Sequence, residues 1–197
     1  FEYNNTCEGM SLGERSMHAL FMASSARSSG FSTVDTSQLA LPTIIIFLLL
    51  MFVGSSPTST GGGIKVTTFY ILIKSAIATI QNKKQVNIAN RSIPGNLIDK
   101  SYTVIILALG LIVGSTLIIS LSDPQFHLEQ ILFEVTSALG NVGLSVNICS
   151  SMSQLGKLVL TLLMFIGRIT ILTMAISVTR KASRNYTLVT TNNLSIS

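Results

Sequence analysis

Two segments of the chain repeat one layout, and this repetition limits the possible fold more than any other feature. They are residues 21–33 (FMASSARSSGFST) and residues 133–146 (FEVTSALGNVGLSV). Each is an amphipathic helix too short to cross a bilayer, then a Ser/Asn-x-Gly-apolar-Ser strip, with a long apolar run downstream. Irregular backbone at membrane depth is tolerated only where it is packed in protein or lines water. The layout therefore predicts two re-entrant pore loops whose backbone carbonyls could hold a dehydrated cation.

Composition places the chain in a lipid bilayer. With 48% hydrophobic residues, 11% charged residues and a mean hydropathy of +0.59, its 197 residues are too apolar for an ordinary soluble domain. The candidate spans are residues 42–80, 102–121 and 155–178. About 20 helical residues, rising about 1.5 Å each, match a hydrocarbon core of about 30 Å. The middle span therefore has the length of a single transmembrane helix. We therefore predict an all-α membrane protein built from helix, pore-loop, helix repeats.

The first candidate span is interrupted. Residues 42–80 would form a helix about 58 Å long if it were straight. Its interior contains Gly54, Ser55, Ser56, Pro57, Thr58, Ser59, Thr60, Gly61, Gly62 and Gly63. No helix survives that run, which we call the glycine loop, so the sequence predicts a broken helix whose loop borders a permeation path. A phosphate-binding loop is disfavoured because Gly-Gly-Ile-Lys-Val lacks the Gly-Lys-Ser/Thr step.

The two strips are the candidate ion filter. Ser11 with Glu14 fits a capping box, and Asp123-Pro124 fits an N-cap with proline, so pore helices are predicted over residues 11–27 and 124–139. At about 24 Å each, they are too short to cross and return. The filter residues are Ser28, Ser29, Gly30 and Phe31 in the first strip, and Asn141, Val142, Gly143 and Leu144 in the second. Potassium ions would bind through backbone carbonyls only. A glycine that merely caps a helix would explain one strip but not two.

The net charge of +5 is interpreted as a signal of topology. Basic residues crowd the linker between spans one and two (Lys74, Lys83, Lys84, Arg91, Lys100) and follow span three (Arg180, Lys181, Arg184). Those segments are expected to be cytoplasmic. The acids then lie outside, where they either attract cations or are simply solvated: Glu2, Glu8, Glu14, Asp35, Asp123, Glu129 and Glu134. The basic residues lack the aromatic interleaving of a nucleic-acid surface, so no nucleic-acid partner is expected.

Arg168 stands near the middle of span three. A charge there costs at least about 2.5 to 3.5 kcal/mol, so the side chain should face the bundle interior or water. It either acts on the permeation path or bonds buried carbonyls to hold helices together. Cys7 and Cys149 form no metal-type pair and are assigned neither a site nor a disulfide. Catalytic motifs are missing, so we expect a transporter rather than an enzyme.

The motifs described above together resemble those of a known family. The chain resembles the C-terminal half of a Ktr/Trk/HKT potassium transporter, and within that family the membrane subunit of bacterial Ktr systems. Residues 26–33 resemble the third filter and residues 137–145 the fourth. Residues 51–65 resemble the intramembrane loop that serves as a gate, and residues 164–168 (MFIGR) match the arginine-bearing helix of the fourth repeat. A threonine is usual two residues before several filter glycines, whereas Ser28 and Asn141 stand here.

The resemblance implies four repeats around a central pore, an architecture like that of potassium channels, with two of the repeats upstream of Phe1. Residues 1–80 would belong to repeat three, 81–100 to a basic cytoplasmic linker, 101–182 to repeat four and 183–197 to a cytoplasmic tail. The glycine loop and Arg168 would form the gate. No covalently bound cofactor is expected; K⁺ is the implied substrate and Na⁺ a possible coupling ion.

Location and partners follow from the same resemblance. The protein would be a multi-pass protein of the cell membrane, completed by a missing N-terminal half or a second copy. It would form a homodimer on a cytosolic nucleotide-binding ring, which the basic linker and tail would contact. These basic residues could instead only fix topology and touch anionic lipid.

Two other classes of function stay open. In an anion transporter, Arg168 and broken-helix N-termini would grip the substrate, although the doubled pore loop favours a cation. A truncated, non-conducting chain could bind a full-length subunit instead.

Overall fold

The structure, a computed structural model, describes residues 2, 5–6, 9–54, 61–81, 87–88 and 91–169. The helices in these ranges are α1 (Leu12–Ser25), α2 (Leu41–Phe52), α3 (Val66–Ile80), α4 (Gly95–Ser122), α5 (Leu128–Gly140) and α6 (Gln154–Arg168). A short antiparallel hairpin, β1 (Asn87–Ile88) and β2 (Arg91–Ser92), lies in the basic linker and is a small addition to the helical fold predicted. Ser55 to Thr60 of the glycine loop, Lys83, Lys84 and the chain after Ile169 lie outside the described residues.

The start of the first pore helix confirms the sequence prediction. The Ser11 side chain accepts a hydrogen bond from the Glu14 amide, and the Glu14 carboxylate accepts one from the Ser11 amide at 2.8 Å. These reciprocal bonds satisfy amide groups that have no partner within the helix. Helix α1 therefore begins at Leu12 and ends at Ser25, where the first strip follows.

The start predicted for the second pore helix was wrong. Helix α5 begins at Leu128, after the His127 amide donates to the Gln130 side chain at 3.2 Å. Asp123 instead ends α4, and its carboxylate accepts bonds from the Ser153 amide at 3.0 Å and the Ser153 hydroxyl at 2.7 Å. Ser153 is the N-cap of α6, so Asp123 connects the end of one helix to the start of another.

The predicted break in the first span is present. Helix α2 stops at Phe52 and α3 begins at Val66, while the Gly54 amide donates to the Ile64 carbonyl at 2.8 Å and so brings the two ends of the loop together. Within the described residues, α4 alone is long and apolar enough to cross a membrane. It begins at Gly95, seven residues before the predicted span, because a helix can continue through polar residues beyond the bilayer core.

Helix α5 occupies the centre of the molecule. It packs against α2, α4 and α6, and every residue from Phe133 to Gly140 is buried. Its side chains Ile131, Phe133 and Val135 are completely inaccessible to solvent. A short amphipathic helix surrounded by longer ones is the arrangement expected of a re-entrant pore helix. The second strip starts where this buried helix ends.

Candidate ion filter and gate

The two strips meet glycine to glycine. A Cβ atom built on Gly143 would lie 3.3 Å from the Gly30 Cα, and one built on Gly30 would lie 2.7 Å from the Val142 carbonyl oxygen. Both glycines also have positive φ, +71° at Gly30 and +94° at Gly143, which L side chains rarely adopt. The fold thus brings the two predicted filter segments, more than one hundred residues apart in sequence, into direct contact.

The strips share one backbone pattern. Ser28 and Gly30 have φ of 74° and 71°, and Asn141 and Gly143 have φ of 50° and 94°, whereas the residue between each pair has negative φ. When left-handed and right-handed backbone conformations alternate along a strip, successive carbonyls turn towards the same side of the chain. This is the backbone that a carbonyl-lined cation path requires.

A serine of each pore helix holds its own strip. The Ser137 hydroxyl donates to the Leu144 carbonyl at 2.6 Å, and the Ser25 hydroxyl donates to the Phe31 carbonyl. Phe31 and Leu144 each follow the strip glycine, so the internal repeat extends to individual hydrogen bonds. The sequence placed both residues in the filter but gave no signal for the serines behind them.

A cavity of about 350 Å³ lies beside the two strip glycines and the residues that follow them. Its lining includes both glycines together with Ser32, Asp35, Thr36, Ser145 and Asn147. The Asp35 Oδ1 atom accepts bonds from the Ser37 hydroxyl at 2.8 Å and the Ser37 amide at 3.0 Å. These bonds hold the pKa of the exposed Asp35 carboxyl below its usual range. A fixed negative charge therefore lines the cavity next to the two strips at neutral pH.

Glu134 does not lie in solvent, so the predicted outer position is wrong for this acid. It is buried behind the second strip, where its carboxylate accepts bonds from the Ser145 hydroxyl at 2.5 Å and the Val146 amide at 2.9 Å. Its other oxygen accepts from the Cys149 thiol at 3.3 Å. Burial, together with the charge of Glu134, raises the pKa of Cys149 to about 11. One sequence feature could have indicated this burial: Glu134 lies within a predicted helix, between the apolar residues Phe133 and Val135.

Part of the predicted gate lies directly beneath the second strip. A Cβ atom built on Gly62 would lie 3.0 Å from the carbonyl oxygens of Gly167 and Leu139. Gly167 precedes Arg168, which is exposed at the last position of α6. At the other end of the loop, Gly54 packs on Gly62, since its Cβ would be 2.7 Å from the Gly62 carbonyl oxygen. The structure therefore brings together the described loop glycines, the end of α6 and the inner end of the strip.

The profile of a family described as TrkH, cation transport protein, matches residues 4–186. The chain belongs to this family. The family match, the internal repeat and the helical architecture together confirm the resemblance and the fold class predicted from the sequence.

Individual relatives of the chain support its assignment to the TrkH family. It is 39% identical over 181 residues to Ktr system potassium uptake protein D of Bacillus subtilis, covering 91% of this chain and 40% of that protein. It is 32% identical to Ktr system potassium uptake protein B of Vibrio alginolyticus, over 89% of this chain and 38% of the relative. The chain thus spans about two fifths of the length of the relatives it matches.

A solved structure shares the fold. The crystal structure of the potassium transporter TrkH from Vibrio parahaemolyticus matches with a TM-score of 0.73 at 20% identity, over 89% of this chain and 40% of that one. This TrkH-family chain accordingly shares the helical fold of that transporter.

Proposed function

We propose that this chain forms two adjacent pore repeats of a potassium uptake protein in the cell membrane. The observation that carries the proposal is the contact between Gly30 and Gly143, each in a left-handed conformation within a strip held by its own pore helix. Two such strips supply about half of a carbonyl ring. A second half, from upstream repeats or another copy, would complete it.

The direction of α5 favours a cation. The second strip follows its C-terminus immediately, at Asn141. Helix dipoles place about half a negative charge at that end, which stabilises a cation and repels an anion. Asp35 at the outer end of the strips adds attraction of the same sign. These charges therefore favour a cation over an anion as the transported ion.

Ion movement would follow the electrostatics of the site. A hydrated K⁺ is drawn to the outer mouth by Asp35, exchanges water for strip carbonyls, and passes towards the level of the glycine loop. There the loop and Arg168 form the gate, because a fixed positive charge on the path slows cations. Support comes from the position of Gly62 against Gly167, the neighbour of Arg168.

Orientation and assembly are part of the same proposal. The basic linker and the segment after span three face the cytoplasm, following the excess of Lys and Arg there. We further propose a homodimer on a cytosolic nucleotide-binding ring, with Na⁺ as a coupling ion. The names of the relatives include "Ktr system", which fits a protein that works with other subunits.

Complementation tests the proposed function. The complete protein that contains this chain, expressed in a bacterial host without its own potassium uptake, should restore growth at limiting K⁺ and take up ⁸⁶Rb⁺. The 197-residue chain expressed alone should do neither, since it offers two strips. If the complete protein reaches the membrane and transports no K⁺ or Rb⁺, the proposal is wrong. If the chain alone suppresses uptake by the complete protein, the non-conducting partner becomes the better account.

A further inference from the structure

Backbones from three parts of the chain converge at the inner end of the second strip. We call this contact the junction, formed by Gly62, Leu139, Asn141, Met164 and Gly167. The closest approach is at Gly167, where a Cβ atom would lie 2.0 Å from the Leu139 carbonyl oxygen. No side chain fits there, so α6 contacts the end of α5 through bare backbone.

One side chain enters the junction. The Asn141 amide nitrogen donates to the Met164 carbonyl at 3.0 Å, and it is the nearest atom to a Cβ built on Gly62, at 2.7 Å. The same nitrogen lies 3.0 Å from a Cβ built on Gly167. Asn141 therefore touches the loop glycine and α6 together, while its own backbone begins the second strip.

The backbone of Asn141 suits this double role. Its φ of 50° lies in the left-handed region, which asparagine tolerates better than most side chains. That conformation ends α5 and starts the alternating pattern of the strip. A shift of α6 or of Gly62 would act on the Asn141 amide, and through it on the first carbonyl of the strip.

We propose that Asn141 is a positioning residue that fixes the inner end of the second strip to α6 and to Gly62, so that ion selectivity depends on a hydrogen bond outside the pore. The effect on selectivity rests on the proposed function. The coupling between Asn141 and Gly62 does not, and it can be measured on purified protein.

The test combines substitutions in the complete protein. Asn141→Gly keeps a residue that tolerates the left-handed backbone and removes the whole side chain, including the amide that donates to Met164. Gly62→Ala adds the methyl group that meets that amide. Gly167→Ala adds one that meets the Leu139 carbonyl, which no change at Asn141 removes. Gly110→Ala in α4 is the matched control, because a Cβ there meets nothing within 4 Å.

Two readouts are taken from each variant: the ratio of K⁺ to Na⁺ uptake, and the melting temperature of the purified protein in detergent. Asn141→Gly should lower the uptake ratio by about 2- to 10-fold, the range that one hydrogen bond covers, with unchanged yield. Gly62→Ala and Gly167→Ala should each lower the melting temperature, and Gly110→Ala should not lower it, because alanine is the better helix former at an open position. Adding Asn141→Gly should restore a clear part of the loss in Gly62→Ala and much less in Gly167→Ala, whose closest clash is with the Leu139 carbonyl.

Three results would overturn the inference: a wild-type uptake ratio in Asn141→Gly, equal rescue of both alanine variants, or rescue of neither. Failure of the proposed function looks different. The wild-type protein would then transport no K⁺, while the selective rescue in melting temperature would still establish that Asn141 and Gly62 are coupled.

Discussion

The structure restricts the residue at position 143 in two ways. Its φ of +94° penalises any L side chain, and its α-carbon faces Gly30 across the contact between the strips. Left-handed backbone costs a residue with a Cβ about 1 to 2 kcal/mol. The position therefore combines a conformational cost with a lack of space, while the surrounding core stays unchanged.

Replacing Gly143 with serine should weaken potassium selectivity or abolish uptake, because the strip must shift to relieve the strain and its carbonyls move with it. Membrane expression should stay close to wild type, since the change is confined to the strip. Uptake of K⁺ and Na⁺ in the complete protein measures both effects. Gly114→Ser in α4, where a Cβ meets nothing within 4 Å, is the control. Unaltered ion preference in Gly143→Ser would remove Gly143 from the filter.

At the scale of elements, local signals were sufficient for some helices and misleading for one. The capping box at Ser11 predicted α1 because both partners lie within four residues. Asp123-Pro124 carries an equally good local signal, yet the Asp123 carboxylate bonds Ser153, thirty residues further along. The residues around Asp123 do not include Ser153, so the local sequence cannot reveal these hydrogen bonds. Helix α5 instead starts at Leu128, where the His127 amide donates to the Gln130 side chain three residues further on.

Replacing Asp123 with asparagine should therefore destabilise the attachment of α4 to α6. A hydrogen bond to a charged group contributes about 1.5 to 3 kcal/mol, and Asp123 accepts two from Ser153. Asp99→Asn, near the start of α4, is the matched control. Melting temperature in detergent should fall for Asp123→Asn and stay constant for Asp99→Asn. Equal melting temperatures would show that the bonds to Ser153 add no net stability.

The pH dependence of the same variant checks its electrostatic origin. Burial raises the pKa of the Asp123 carboxyl, but the bonds from Ser153 outweigh it and the pKa is lowered overall. A carboxyl with a lowered folded-state pKa stabilises the protein above its ordinary pKa, about 3.9, and loses that contribution as the pH falls further. The difference between wild type and Asp123→Asn should thus be constant near neutrality and shrink only in strong acid.

For the whole molecule, the sequence predicted the repeats but not how they meet. The approximate positions of the helices, the break in the first span and the two strips follow from periodicity and from glycine and proline positions. The contact of Gly30 with Gly143 and that of Gly62 with Gly167 are set by the packing of α2, α4 and α6 around α5. The burial of Glu134 depends on the same packing. Distances across repeats require the assembled fold, which one-dimensional patterns do not contain.

The proposed gate depends on that assembly. Gly62 and Gly167 are in contact and Arg168 follows directly, so the described end of the loop lies next to the charged end of α6 and the start of the second strip. An arginine can donate up to five hydrogen bonds, and charge-assisted bonds to loop carbonyls or hydroxyls contribute about 1.5 to 3 kcal/mol each. Such bonds would hold the loop across the path. The glycine loop and Arg168 would then stabilise the same closed state.

Shortening the glycine loop, or replacing Arg168 with alanine or glutamine, should accordingly raise potassium flux through the reconstituted complete protein. Because both changes release the same contact, their combined effect should be smaller than the product of the single effects. Flux is measured in proteoliposomes at matched protein content, with Lys157→Gln at the other end of α6 as a control for lost charge. Flux that falls in both variants, or effects that simply multiply, would mean that the loop and Arg168 do not share a gate.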